Sequence, residues 1–168
     1  MLATATTQVS GAPAFGTRMG QPLRALKPVK AGRDIVFSVH PPQSNPAFSH
    51  YYAVATPVSG LCQIWAETDD LITTAMLDAT FVRLRKALSQ NYGTAETTEP
   101  ASAEAFLHGG LGSSDAAWRN HLPLRLRSIS LEREGADTDK PKVLRLRYTF
   151  ANIAKCLNWA PGQSMAGL

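Results

Sequence analysis

Alternation of apolar and polar residues predicts five β-strands along the chain. In segments 33–40, 61–67 and 143–150 apolar residues recur at every second position, and β-branched and aromatic residues are frequent. Segments 51–56 and 124–134 are also predicted to be strands. Within 124–134 the apolar residues change parity, which predicts a β-bulge near Arg127–Ser128.

A long helix is predicted over residues 71–92 because apolar residues recur there at helical spacing. The stripe consists of Leu77, Phe81, Leu84 and Leu88. Asp69 and Asp70 precede the segment, where carboxylates cap free N–H groups. Gly93 follows it and suits the left-handed position that ends a helix. A helical turn, capped by Ser114, is expected over 115–120.

These elements predict an α+β fold: an antiparallel sheet of about five strands with one long helix packed on one face. The short loop between 51–56 and 61–67 ends in Gly60, which predicts a hairpin. The length of 168 residues fits one domain. We expect a flexible arm over 1–13, a single domain over 14–160 and a tail over 161–168.

Strand periodicity also predicts which side chains share a face. In segment 61–67 we expect Cys62, Ile64 and Ala66 on one face, with Leu61, Gln63 and Trp65 on the other. In segment 143–150 we expect the even-numbered residues in the core and Arg145, Arg147 and Thr149 on the other side.

Composition excludes several classes of protein. No run of apolar residues is long enough to span a membrane. The net charge of +4 is a mild basic excess, but an RNA-binding sheet would place aromatic residues among its basic ones. Tyr148 and Phe150 lie instead on the apolar side, so no nucleic-acid partner is predicted. The N-terminus lacks the basic and apolar segments of a signal peptide, although a secreted protein whose leader has been removed would begin in the same way.

Known catalytic motifs are missing from the sequence. It contains no G-x-S-x-G turn and no phosphate-binding loop with its lysine. The four histidines have no metal-ligand spacing. We therefore predict no catalytic residue, no metal and no cofactor, and a non-enzymatic protein. The alternative is a small enzyme with a dispersed site, in which His40 or His50 works with a nearby carboxylate.

Two groups of residues are candidate binding sites. The first contains Arg125, Arg127, Arg145 and Arg147, which alternate off the apolar faces of two strands. Guanidinium groups there would suit a partner protein with an acidic surface, and Glu132 opposite Arg145 would form a cross-strand pair. The second group is the proline loop with its following aromatic residue, represented by Pro41, Pro42 and Tyr51.

The two cysteines, Cys62 and Cys156, form no metal-binding cluster. As free thiols they would be small core residues of a cytoplasmic protein. As a disulfide they would join an early strand to the C-terminus and indicate an oxidising compartment. Their spacing leaves both interpretations open.

The chain resembles a group of small bacterial α+β proteins to which no activity is assigned. The likeness covers about residues 14–158 and is carried by Gly60-Leu61-Cys62, by Asn91-Tyr92-Gly93 and by Tyr148-Thr149-Phe150-Ala151-Asn152 with Cys156. This resemblance implies that Cys62 and Cys156 are bonded, which would contribute about 4 kcal/mol to stability. A bonded pair would in turn indicate a periplasmic or secreted protein.

Together these features predict a non-catalytic protein-binding module, such as a bacterial immunity protein or an inhibitor of a secreted toxin or enzyme. A structural or phage-related component is a further alternative, which self-association would favour. The sequence does not determine the oligomeric state.

Overall fold

The computed structural model describes residues 13–31, 35–71, 73–96, 116–134 and 142–160. The predicted tail and nearly all of the predicted arm lie outside these residues, so the predicted domain limits stay predictions. Within the described residues the strands are β1 (Lys30–Ala31), β2 (Val36–Ser38), β3 (His50–Thr56), β4 (Gly60–Glu67), β5 (Ala116–Trp118), β6 (Leu126–Glu134) and β7 (Val143–Phe150). The α-helices are α1 (Thr74–Tyr92) and α2 (Ile153–Leu157).

All seven strands form one antiparallel sheet in the order β1-β2-β3-β4-β7-β6-β5. This confirms the predicted α+β class and the hairpin between β3 and β4. The described residues contain two more strands than the predicted five. One of them, β5, replaces the helical turn predicted over 115–120. Tertiary contacts decide this difference, because Ala117 pairs with Ser130 and the indole of Trp118 donates a hydrogen bond to Gly93 O at 2.8 Å.

The helix α1 begins later than predicted, and its cap differs. Thr73 is the N-cap, and its hydroxyl accepts a hydrogen bond from the amide of Met76. Asp69 and Asp70 therefore do not cap the helix, because two further residues separate them from the N-cap. The helix ends before Gly93 as predicted, and the amide of Gly93 donates to Ser89 O. The predicted left-handed helical conformation is wrong, because Gly93 has φ 84° but ψ −167°.

One face of the sheet and α1 form the main core. The predicted helix stripe is buried as a set, comprising Leu77, Phe81, Leu84 and Leu88. Opposite it, directly paired strand residues place Ile64, Tyr148 and Ile129 side by side across β4, β7 and β6. Burial of these apolar side chains supplies the main driving force for folding.

A register change in the β3–β4 hairpin alters the predicted faces of β4. Val54 pairs with Gln63, but Ala55 pairs with Leu61, so Cys62 is an extra residue without a partner in β3. Leu61 consequently joins the main core, whereas Cys62 packs in a second cluster with Val54. The prediction that Cys62 shares a face with Ile64 and Ala66 is therefore wrong, because a bulge reverses side-chain parity.

The bulge directs Cys62 towards α2 on the second face of the sheet. Cys62 and Cys156 form a disulfide, and both residues are fully buried. Ile153 packs in the same cluster, so α2 covers one end of this face. The bonded interpretation of the two cysteines is confirmed, and such bonds persist mainly in oxidising compartments.

The predicted bulge in β6 is confirmed. Leu126 pairs with Phe150 and Ser128 with Thr149, so Arg127 is the extra residue. The strand begins two residues later than predicted, because Leu124 and Arg125 have φ values of 57° and 58° in the left-handed region.

Candidate functional site

The second face of the sheet carries a polar and aromatic surface beside the cluster covered by α2. Directly paired residues of an antiparallel sheet project from the same face. Register therefore aligns one row of side chains across six strands: Ser38, Tyr52, Trp65, Arg147, Ser130 and Ala117. A neighbouring row contains His50, Glu67, Arg145 and Glu132. We name Tyr52, Trp65, Glu67, Glu132, Arg145 and Arg147 the aromatic–arginine cluster.

Two stacked rings form the apolar part of this cluster. The centroids of Tyr52 and Trp65 are 5.3 Å apart, with 23° between the ring planes. Both side chains are half-buried. The indole N–H of Trp65 donates to Glu67 Oε1 at 3.1 Å, which fixes the ring's orientation. On the other side, the guanidinium of Arg147 lies 5.9 Å from the Trp65 ring centroid, within cation–π range.

Three glutamates hold the two arginines in place. Arg145 lies 2.8 Å from Glu67 and 2.5 Å from Glu134, and 3.5 Å from Glu132. Arg147 lies 3.3 Å from Glu132. The predicted cross-strand pair of Glu132 and Arg145 is therefore present. Because the arginine side chains are each 20% exposed and that of Glu132 only 7%, the network is partly shielded from water.

The pKa values of the two arginines shift in opposite directions. It lowers the pKa of Arg147, although the charge of Glu132 opposes this shift. Burial also acts to lower the pKa of Arg145, but the hydrogen bond and charge of Glu67, with the other two glutamates, outweigh it and raise that pKa. Within the described residues the Nε–H of Arg147 is buried and has no hydrogen-bond acceptor. Arg147 is therefore the less well compensated of the two cations.

The four arginines predicted as a binding group fall into two pairs. Arg145 and Arg147 belong to the ion-pair network. Arg125 and Arg127 are exposed, at the beginning of β6, and in the described part of the chain neither side chain forms an ion pair. Binding by these residues stays a prediction, but they do not form one continuous basic surface.

The proline loop is held against the core by Tyr51. This side chain is only 7% exposed. Its hydroxyl accepts a hydrogen bond from Asn45 N at 2.7 Å and donates one to Asn45 O at 3.0 Å. Tyr51 therefore positions the loop, whereas Pro42 is exposed and Pro41 half-buried. Binding by this loop also stays a prediction.

A histidine and a carboxylate meet at the end of β3. His50 Nε2 lies 3.2 Å from Asp69 Oδ1, and Ser49 Oγ donates to Asp69 Oδ2 at 2.7 Å. His50 and Asp69 border a shallow pocket of about 430 Å³ that Glu67 and Asp70 also line. In a nucleophilic triad the histidine lies between the hydroxyl and the carboxylate. Here Asp69 occupies the middle position, so His50 is not placed to activate Ser49.

The described residues contain neither a metal-binding group nor a membrane-spanning helix. Among them, no group of three or more His, Cys, Asp or Glu side chains is arranged to hold a metal ion. No helix in the described ranges is both long enough and apolar enough to cross a membrane.

Comparisons with protein-family models, with curated proteins and with solved structures gave no match. Function is therefore inferred from the residues of this chain.

Sequence reasoning identified both arginines of the cluster but missed Tyr52 and Trp65. Alternation within β4 does indicate that Trp65 lies on the side opposite Ile64. The non-sequential pairing of β4 with β7, which brings Trp65 next to Arg147, has no comparable local signal.

Proposed function

We propose that this chain is a non-catalytic protein-binding module and that it binds its partner through the aromatic–arginine cluster. The observation that carries the proposal is the Tyr52–Trp65 stack beside Arg147 on a half-exposed sheet face. Trp, Tyr and Arg are the residue types that most often dominate the binding free energy of protein interfaces.

The side chains of the aromatic–arginine cluster are also held in place before a partner binds. Trp65 is fixed by its hydrogen bond to Glu67 and by stacking, and Arg147 is fixed by its pairing with Glu132. Side chains that already occupy their bound rotamers lose little conformational entropy on association. A pre-ordered aromatic surface of this kind favours binding without chemistry.

The net charge of the cluster indicates how a partner protein would contact it. The two arginines face three glutamates, Glu67, Glu132 and Glu134, so this part of the surface carries a net charge of −1. The cluster therefore favours a partner that contacts it by ring packing and hydrogen bonding. The exposed Arg125 and Arg127 are the arginines available to an acidic region of the same partner.

The disulfide supports an extracytoplasmic location, because it belongs to an oxidising compartment. We accordingly propose that the partner is a periplasmic or secreted protein. The specific form of the proposal is an immunity protein or an inhibitor of a secreted toxin or enzyme.

The test compares three immobilised baits in an envelope extract of the source organism: the wild type, Trp65→Ala and the control Val82→Ala. Val82 is 62% exposed on α1, so the control also removes an exposed apolar side chain. We expect a protein that wild type and control retain and Trp65→Ala loses. With the purified partner, the Kd for Trp65→Ala should rise about 30-fold or more, as for an interface hot spot.

Equal retention by all three baits, or no retained protein, would refute the proposal. A thermal melt of each bait checks that Trp65→Ala remains folded. Tyr52→Ala provides an independent second variant, since it removes the other ring of the stack and is expected to weaken the same partner.

A second candidate function is an enzyme based on His50 and Asp69, supported by their 3.2 Å approach at the edge of a pocket. Their side chains are 55% and 74% exposed, which gives little shielding from water for acid–base catalysis. A turnover assay against ester, amide and phosphoester substrates tests it. Turnover that His50→Gln abolishes would favour the enzyme over the binding module.

A further inference from the structure

The basic excess of the protein is concentrated at the start of the chain. Residues 1–33 contain five of the 17 basic residues and none of the 13 acidic ones. The rest of the chain carries twelve basic against thirteen acidic residues, a net charge of −1. The overall charge of +4 therefore originates in this segment, and the aromatic–arginine cluster contributes nothing to it.

Within the described part of this segment, the structure holds residues 13–29 in consecutive tight turns. Gln21 N donates to Arg18 O at 3.2 Å, and Lys27 N donates to Arg24 O at 3.3 Å. Such turns bring residues three apart in sequence within about 7 Å of each other. Arg24 and Lys27 are consequently neighbours, and Arg18 lies six residues before Arg24 on the same length of ordered backbone.

The backbone is anchored while the cations point outwards. Leu26 is fully buried in the main core, and its carbonyl accepts a hydrogen bond from His40 N at 2.9 Å. The side chains of Arg18, Arg24 and Lys27 are exposed. In the described part of the chain none of the three forms an ion pair. They thus differ from Arg145 and Arg147, whose charges are compensated.

An apolar side chain accompanies these cations. Val29 is 63% exposed, two residues after Lys27, and its amide donates to Ser38 O at 2.8 Å. An exposed aliphatic residue beside unpaired cations suits a binding partner that has anionic groups at its surface and apolar groups directly beneath them. Nucleic acid fits less well, because residues 18–30 contain no aromatic side chain on which a base could stack.

We propose that Arg18, Arg24, Lys27 and Val29 form a docking surface for membranes that contain anionic phospholipid. The negative surface potential of such membranes attracts lysine and arginine side chains. Each of these side chains increases the affinity for the membrane about fivefold. Val29 would enter the boundary between headgroups and acyl chains. The contact is peripheral and leaves the aromatic–arginine cluster to the protein partner.

The test is co-sedimentation of the full chain with vesicles of phosphatidylcholine, alone or mixed with phosphatidylglycerol. We expect binding only to the mixed vesicles and its loss at high salt. Arg24→Gln/Lys27→Gln should weaken binding about 30-fold, because two such contributions are removed. Arg83→Gln/Lys86→Gln, which makes the same charge change at exposed positions of α1, should bind like the wild type.

Three results would overturn the proposal. They are the absence of binding to the mixed vesicles, an equal loss for both double variants, and binding to a single-stranded oligonucleotide without binding to vesicles. All four substituted residues are exposed and form no ion pair within the described residues. Thermal melts of the variants therefore provide a direct check that neither double substitution disturbs the fold.

Discussion

Gly60 packs directly against the backbone of Gly20. A Cβ atom on Gly60 would lie 2.9 Å from the Cα of Gly20 and closer still to its carbonyl group. Two hydrogen bonds flank this contact, from Gly20 N to Leu61 O and from Leu61 N to Gln21 O, each 2.9 Å long. The N-terminal segment is thus joined to the beginning of β4 at a position where only glycine fits.

Gly60→Ala is therefore expected to destabilise the protein by more than about 2 kcal/mol, since the added methyl group meets fixed backbone and φ is +62°. Gly93→Ala is the matched control. It also has positive φ, +84°, but nothing lies within 4 Å of the added methyl, so we expect only the cost of backbone strain, about 1–2 kcal/mol. Urea denaturation measures both free energies of unfolding, and a smaller loss at Gly60 than at Gly93 would contradict the packing described.

Glu132→Gln should cost about 3 kcal/mol of unfolding free energy, because it leaves Arg147 buried without its paired carboxylate. Glu134→Gln should cost less than about 1 kcal/mol, since that side chain is 49% exposed. The same denaturation experiment compares them. Similar small losses for both variants would mean that the network contributes little to stability.

Removing the disulfide by Cys62→Ala/Cys156→Ala should lower the unfolding free energy by about 4 kcal/mol, given a sequence separation of 94. Reduction of the wild type should have a comparable effect. Mass spectrometry of the unreduced, denatured wild type should find no free thiol and a peptide containing Cys62 linked to Cys156. Two free thiols would exclude the bond and the location inferred from it.

Alkaline pH should destabilise the protein through Tyr148. Burial, together with the charge and hydrogen bond of Tyr92, raises the pKa of Tyr148 above its ordinary 10.0. Because the folded state keeps a proton that the unfolded chain releases, stability is unaffected below pH 10 and falls as pH rises above it. Urea denaturation at about pH 8 and about pH 11 should show a smaller fall for Tyr148→Phe. An identical fall would rule out this linkage.

Local patterns determined much of the fold. The helical stripe from Leu77 to Leu88, the alternation in β7 and the parity change in β6 each reflect one buried face. Such signals lie within a few consecutive residues. They were sufficient to predict the α+β class, the position of α1 within three residues and the bulge at Arg127.

The remaining features depended on contacts between distant segments. The sequence alone already contained the cysteines, Arg145 and Arg147, and the resemblance implied the disulfide. Only the tertiary structure showed that a bulge directs Cys62 towards α2, and that Tyr52, Trp65 and Arg147 lie in one row. The physical reason is that side-chain parity reverses at a bulge, and strand neighbours are chosen by packing of the whole sheet. The pattern of β4 does not reveal its bulge, because Leu61 and Cys62 are both apolar, and no single strand encodes its neighbours in the sheet.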